Sequence, residues 1–223
     1  LRTPLTTLLA HLETLQMKQS ELTPQERGEY LGVATRQSRR IGLLVEQLLE
    51  AAKLEAGQVT VNVEPFPIGE LLQDVVQKFA LAARDCGVAL EVDAMAAATM
   101  VSGDIALLER VLDNLIDNAL RHTPIGGRVT VQSQPRGERV RVSVTDSGPG
   151  LTREEAERAF KRFYRGDPGR STHSGQSGLG LAIVKSILEL HGSDVAVESQ
   201  PGHGASFYFE LPIVTQPPRT APT

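Results

Sequence analysis

Residues 104–122 read DIALLERVLDNLIDNALRH. Leu108, Val111, Leu112, Leu115 and Ile116 recur at steps of three and four, the spacing of one apolar helix face. Asn114 and Asn118 stand four residues apart, so both carboxamides share another face of the same helix. Carboxamide oxygens ligate hard cations or orient water. Solvation explains a surface Asn pair equally well, because Asn is common on wet helix faces although poor in helix interiors.

Downstream of this helix, residues 128–132 and 140–145 read as strands joined by the turn Pro135-Arg136-Gly137-Glu138. The second strand runs into Asp146-Ser147-Gly148-Pro149-Gly150. This places a carboxylate at a strand edge, able to accept from a ligand amino group, beside glycines that permit close backbone approach. An ordinary turn has the same appearance. Phe160-Lys161-Arg162-Phe163-Tyr164-Arg165 follows, with Phe160 and Phe163 expected to anchor it while Arg162 and Arg165 stay free. Five basic residues face one acid between Arg158 and Arg170, a positive patch suited to anions. Residues 166–177, rich in Gly and Ser, read as a lid-like loop.

Gly175-Gln176-Ser177-Gly178-Leu179-Gly180-Leu181 then opens an apolar helix expected over 179–190. Glycines at a helix start expose N–H groups that, with the helix dipole, bind phosphate. No Lys follows as a Walker loop requires, and no strand precedes as a dinucleotide fold requires. Residues 194–197 and 206–211 read as strands, and 212–223, with four prolines, as a loose tail.

Upstream, 68–83 reads as a helix and 88–92 as a strand. Val59, Val61 and Val63 alternate with polar residues, a strand pattern within a junction over 58–67. Residues 1–56 read as two helices. Leu1, Leu5, Leu8, Leu12 and Leu15 form one seam, widened by Leu9. Thr23-Pro24-Gln25-Glu26 restarts the chain as a capped helix, whose seam is Tyr30, Ala34, Gln37, Ile41, Leu44, Leu48 and Ala51. Gly57 is the expected stop. A two-helix hairpin has no second layer and is readily completed by its own copy as a four-helix bundle. The expected fold is α+β: an antiparallel hairpin over 1–57, a junction over 58–67, and an α/β sandwich over 68–211.

Composition agrees with a globular chain. Its 223 residues suit one large or two small domains, and 40% hydrophobic content supplies a core built with only 4% aromatics and no Trp. A formal charge of −4 argues against general nucleic-acid binding. The single Cys86 excludes an internal disulfide and a cysteine-based zinc site. The longest uncharged, apolar-rich stretch, 94–103, is ten residues, against about 20 for a membrane span. The chain opens on Leu1 within an apparent helix, so it is expected to be part of something longer that includes any membrane anchor.

The four segments in this order resemble the N, G1, F and G2 boxes of the ATPase domain that bacterial sensor histidine kinases share with Hsp90, gyrase B and MutL. Leu1-Arg2-Thr3-Pro4-Leu5 resembles the end of those kinases' His-Glu-Leu-Arg-Thr-Pro-Leu helix motif. The resemblance spans about residues 1 to 211. It implies ATP and Mg²⁺ as ligands, with Asn118 on the metal and Asn114 holding the reacting region. It implies Asp146 on the adenine amino group, Gly148 and Gly150 as floor, and Gly175, Gly178, Leu179 and Gly180 along the phosphates. Arg121 stands where many members carry Lys, and His122 where an aromatic is common. Arg162 and Arg165 become lid-side phosphate candidates, and Thr3 the residue that positions water for dephosphorylating a response regulator. The implied partners are a second copy through residues 1–56 and a receiver domain, with no nucleic acid. The implied location is the cytoplasmic side of a bacterial inner membrane.

The family's phospho-accepting His is expected two positions before Leu1, and none of His11, His122, His173, His191 and His203 begins that motif. These 223 residues are therefore expected to bind ATP without autophosphorylating. Three other readings stay open: another ATPase of the superfamily, a phosphatase-biased relative, and a dimer module with a vestigial pocket.

Overall fold

The structure is a computed structural model describing residues 2–18, 21–96, 98–164 and 178–214, with Arg2 and Thr3 as backbone only. The chain divides into two compact units, Leu1–Ala52 and Lys53–Thr223.

The first unit is a hairpin of α1 (Arg2–Met17) and α2 (Pro24–Glu55), whose last turn passes into the second unit. The capping box predicted at Thr23 forms: its N–H donates to Glu26 Oε2 at 2.8 Å, and the Glu26 N–H donates to Thr23 Oγ1 at 3.3 Å. The His11 ring lies 5.5 Å from that of Tyr30, and Ala34 and Ala51 are buried. Leu5, Leu9, Leu12, Leu31, Leu43, Leu48 and Leu49 remain exposed. The hairpin therefore leaves an apolar face open, with Leu5, Leu9, Leu12 and Leu31 where its helices overlap and Leu43, Leu48 and Leu49 on the stretch of α2 beyond the reach of the shorter α1.

The second unit begins with β1 (Glu64–Pro67), α3 (Ile68–Asp85), β2 (Ala89–Ala94), β3 (Met100–Gly103) and α4 (Ile105–His122). It continues with β4 (Arg128–Arg136), β5 (Arg139–Asp146), α5 (Arg153–Arg158), α6 (Gly180–Leu190), β6 (Val195–Ser199) and β7 (Ala205–Pro212). The main sheet has the order β2-β4-β5-β7-β6, and β1 pairs with β3 in a separate ribbon. β4, β5 and β7 alternate strictly. Val129 and Val131, Val140 to Val144 at every second residue, and Phe207, Phe209 and Leu211 face inward. Helix α4 packs against α3 and α6 over this face. Its buried face is Leu108, Val111, Leu112, Leu115, Ile116, Ala119 and Leu120. The outer face stays polar: Arg141 stacks 4.0 Å over the Tyr208 ring and bonds Glu210 at 3.0 Å.

The structure corrects or completes these expectations at several places. The strand expected through Val59, Val61 and Val63 instead begins at Glu64, where β3 supplies the antiparallel partner. Alternation alone does not make a strand without a neighbouring edge. β3 and the short α5 went unforeseen, being only four and six residues long. β2 runs parallel to β4, because β3 and α4 form a crossover between them. The expected tail starts too early: Pro212 belongs to β7, and the N–H groups of Ile213 and Val214 bond the Glu138 and Met100 carbonyls at 2.9 Å. The remaining tail, 215–223, lies outside the described residues. The turn between β4 and β5 tightens to Gly137-Glu138, with Gly137 at φ 62°.

Among the described residues, no helix is long and apolar enough to cross a membrane. The hydroxyl of Ser133, on the inward face of β4, is fully buried without a hydrogen-bond partner. Ser133→Ala should therefore raise stability by about 1 kcal/mol. Urea unfolding should show a higher midpoint at unchanged slope.

Candidate functional site

Helix α4 is the axis of the site. Asp104 caps it, its Oδ1 accepting from the Leu107 N–H at 3.1 Å. One face is committed to the core, which turns the Asn-bearing face away from the sheet. Asn114 Nδ2 donates to the Arg110 carbonyl at 2.8 Å. Its Oδ1 is directed at the start of α6, where a Cβ on Gly180 would stand only 2.9 Å away. Asn118 lies one turn further on and is half-buried. Arg121 Nε holds Asp117 Oδ2 at 2.9 Å, an exposed pair of little energetic weight that a stronger anion could displace.

At the far end of α4, the His122 carbonyl abuts Gly148, where a Cβ would lie 2.6 Å from it and 2.7 Å from Asp146 Oδ1. One helix thus touches both glycine-bearing segments, which are separated by more than twenty residues in sequence. Asp146 ends β5 at 6% exposure. Its Oδ1 accepts from the Gly148 N–H at 2.8 Å. Burial pushes its carboxyl above the ordinary range, against the opposing pull of the Gly148 and Ala205 N–H groups and of His122. A buried carboxylate at a strand end suits a ligand that brings its own donor.

The Gly148–Gly150 loop is locked by a turn absent from the sequence reading. Pro149 accepts from the Gly202 N–H at 2.7 Å, and Ser199 Oγ accepts from the Leu151 N–H at 2.8 Å and donates to the Gly204 carbonyl at 2.6 Å. Gly150, at φ 67°, admits the Gln200 carbonyl where a Cβ would be, and Gly204, at φ 76°, admits that of Asp146. Gly202 and Gly204, within the five residues between β6 and β7, were the available signal.

In the basic segment, Phe160 packs edge-on against Phe207 with centroids 6.1 Å apart. Phe163 does not anchor, contrary to expectation: its ring is 64% exposed. Its backbone adopts φ 57°, which brings its N–H 2.9 Å from the Gly178 carbonyl and leaves the ring outside. Gly178, at φ 69°, has no room for a Cβ, which would lie 2.8 Å from the Phe163 backbone. Leu179 is buried, and its carbonyl accepts from the Ile183 N–H at 2.9 Å as α6 begins. Arg162 pairs with Glu55 within the second unit. Arg165, Gly175 and the Thr3 side chain lie outside the described residues.

Asn114, Asn118, Arg121, His122, Asp146, Gly148, Gly178, Leu179 and Gly180 are thus gathered on α4 and the two segments it touches, with Gly150 behind Gly148. Among the described residues, no group of three His, Cys, Asp or Glu side chains could hold a metal. The carboxamide oxygens of Asn114 and Asn118 are donors that suit a hard divalent ion arriving already carried by phosphates. The buried Asp146, placed to accept from a ligand donor, and the unbranched backbone at Gly178–Gly180 fit the same guest.

Residues 103–215 match the family described as histidine kinase-, DNA gyrase B-, and HSP90-like ATPase. Residues 1–57 match the His Kinase A (phospho-acceptor) domain. The chain therefore belongs to that ATPase family and, through the paired phospho-acceptor domain, to the bacterial two-component sensor histidine kinases. It is 35% identical to the sensor protein DivL of Caulobacter vibrioides over 97% of its own length and 27% of DivL. Full-length ShkA in complex with AMPPNP superposes with a TM-score of 0.74 at 28% identity, over 96% of this chain and 44% of ShkA. The histidine kinase ThkA in complex with the response regulator protein TrrA superposes at 0.77 and 26%, over 96% of this chain and 58% of ThkA. The chain spans less than two thirds of each of these proteins.

The raised titration of Asp146 sets a pH dependence. Its stabilising contribution is fully present below the ordinary carboxylate value of 3.8 and is lost as pH rises through the higher folded value. Asp146→Asn stays neutral throughout. Its melting temperature should match wild type in acid and exceed it increasingly toward neutral pH. Equal melting temperatures at every pH would contradict the buried-charge assignment.

Proposed function

We propose that this chain is the catalytic core of a sensor histidine kinase that binds Mg–ATP on its second unit. The observation that carries this reading is α4, whose C-terminal end meets the Gly148 segment beside the buried Asp146 and whose middle, at Asn114, meets the glycine-opened start of α6. From Asn114 to His122 the helix advances about 12 Å, comparable to an extended nucleoside triphosphate.

In this reading Asp146 accepts from the adenine amino group while the Gly148 N–H holds its other oxygen in place. The Asn118 carboxamide oxygen faces the metal. Asn114, braced on Arg110, orients the reacting end. The N–H groups opening α6 and its dipole meet phosphate oxygens, with Gly175, Gly178 and Gly180 sparing the approach from side chains. Arg121, Arg162 and Arg165 supply exchangeable positive charge. Mg²⁺, when bound, neutralises phosphate charge and fixes the phosphate geometry. The protein's share is position and electrostatics, as in phosphoryl transfer generally.

The product of that transfer in the whole protein is a phosphohistidine, and its onward acceptor an Asp on a response-regulator receiver domain. The ThkA–TrrA complex supports a partner of that kind. Thr3 would place water for the reverse, dephosphorylating step. The hairpin over 1–57 would be the dimerisation and phosphotransfer domain, and 68–211 the ATP-binding domain. The open apolar face of the hairpin, with Leu5, Leu12, Leu43 and Leu48 in water, supports a homodimer that buries it. ATP and a receiver domain as partners would suit a location on the cytoplasmic side of a bacterial inner membrane.

Calorimetric titration with ADP and ATP, with and without Mg²⁺, tests the reading. Wild type should bind. Asp146→Asn should lose affinity with or without metal, by about 10-fold or more for one buried charged hydrogen bond. Asn118→Ala should lose chiefly the Mg²⁺-dependent part. A folded wild type that binds neither nucleotide would overturn the assignment.

A further inference from the structure

Away from the boxes, three segments of the second unit meet at Asp104. Its Oδ1 caps α4, and its Oδ2 accepts from the Asn62 N–H at 2.8 Å, in the segment that precedes β1. Its own N–H donates to His191 Nε2 at 3.0 Å, and His191 Nδ1 donates to the Ile187 carbonyl at 2.8 Å. Both ring partners are backbone groups of fixed character, so only the neutral Nδ1–H tautomer satisfies them. Asp104 is 9% exposed, and losing any of these partners would strand a polar group away from water.

The position of this knot matters. Helices α4 and α6 run antiparallel, with Asp104 against His191 at one end and Asn114 against Gly180 at the other. Each span between the two joints is about 15–17 Å, so the joints match in length. Between them lie Leu108, Val111 and Leu112 and, on α6, Ile183, Val184 and Ile187. Apolar burial is strong but weakly directional, whereas a hydrogen bond has a preferred length and angle. Gly180 leaves little room beside Asn114, where a Cβ would stand 2.9 Å from the Asn114 Oδ1, so a slip of α4 along α6 would move that carboxamide relative to the start of α6.

We propose that Asp104 and His191 are positioning residues that fix the axial register of α4 against α6, and that the Asn62 N–H ties the connecting segment into the same lock. Attachment of that segment and nucleotide occupancy are then coupled, and the coupling is reciprocal. This inference rests on the nucleotide-site reading above. It gives the segment that precedes β1 a direct mechanical line to the helix that carries Asn114 and Asn118.

The test uses the whole 223-residue chain, ADP calorimetry and amide hydrogen exchange at Asn62. His191→Phe keeps the ring volume and removes the acceptor. It should bind ADP about 5- to 20-fold more weakly and exchange the Asn62 amide about 10-fold faster. His191→Gln, whose Oε1 can take the place of Nε2, should restore both to within about 2-fold, which a purely space-filling role would not require. Asn62→Pro removes the donor, though it also fixes φ and restricts Val61, at a position outside every helix and strand, and should weaken ADP several-fold even if His191→Phe fails to fold. In wild type, saturating ADP should slow Asn62 exchange. Unchanged affinity and exchange in a folded His191→Phe, a His191→Gln as defective as the Phe variant, or an Asn62→Pro with wild-type affinity would each overturn the lock. Wild-type ADP binding separates the two ideas. Its absence sinks the nucleotide reading and the coupling with it, whereas normal binding indifferent to every variant sinks the lock alone.

Discussion

The burial of one face of α4 is the constraint on which the second unit depends. Seven of its side chains are withdrawn from water between the sheet, α3 and α6. At about 25 cal/mol per Å² of apolar surface, that face outweighs any single polar contact in the domain. Once it is seated, the rotation of the helix is decided. Asn114 and Asn118 must then emerge on a side that the sheet does not cover. The chemistry-bearing residues are carried by a core element, so their placement inherits the precision of close packing.

The same unit holds a charge where the fold would prefer none. Asp146 ends a strand whose other inward residues are valines, and burial works against its ionisation. Its neighbours compensate in part, through the Gly148 and Ala205 N–H groups. The glycines around it are required first by the protein itself. Gly148, Gly150 and Gly204 each have a backbone carbonyl where a side chain would begin. A loop closed this tightly presents its carboxylate with little freedom, which lowers the entropic cost of receiving a ligand.

The hairpin is organised differently. It buries small residues such as Ala34 and leaves leucines at 39–60% exposure. An apolar stripe of that length on an isolated pair of helices is unfavourable in water, so its energetics belong to an assembly rather than to a single chain.

Much of this was legible in order of residues alone. Periodicity located α1 to α4 and α6 to within a few residues, and the capping box at Thr23 and Glu26 was readable because a cap is a local event. Asn114, Asn118, Asp146, Gly178 and Gly180 stood out because residue type and spacing carry the chemistry. What the sequence could not show was anything requiring a distant partner. The strand at Glu64 rather than Val59 depends on the edge offered by β3. The outward ring of Phe163 depends on the Gly178 carbonyl. Asp104, His191 and Asn62 look unremarkable singly and acquire a role only because the chain returns three times to one place. Local propensity and side-chain chemistry are written along the chain, but hydrogen bonds between residues 42 and 87 positions apart exist only after the core has closed.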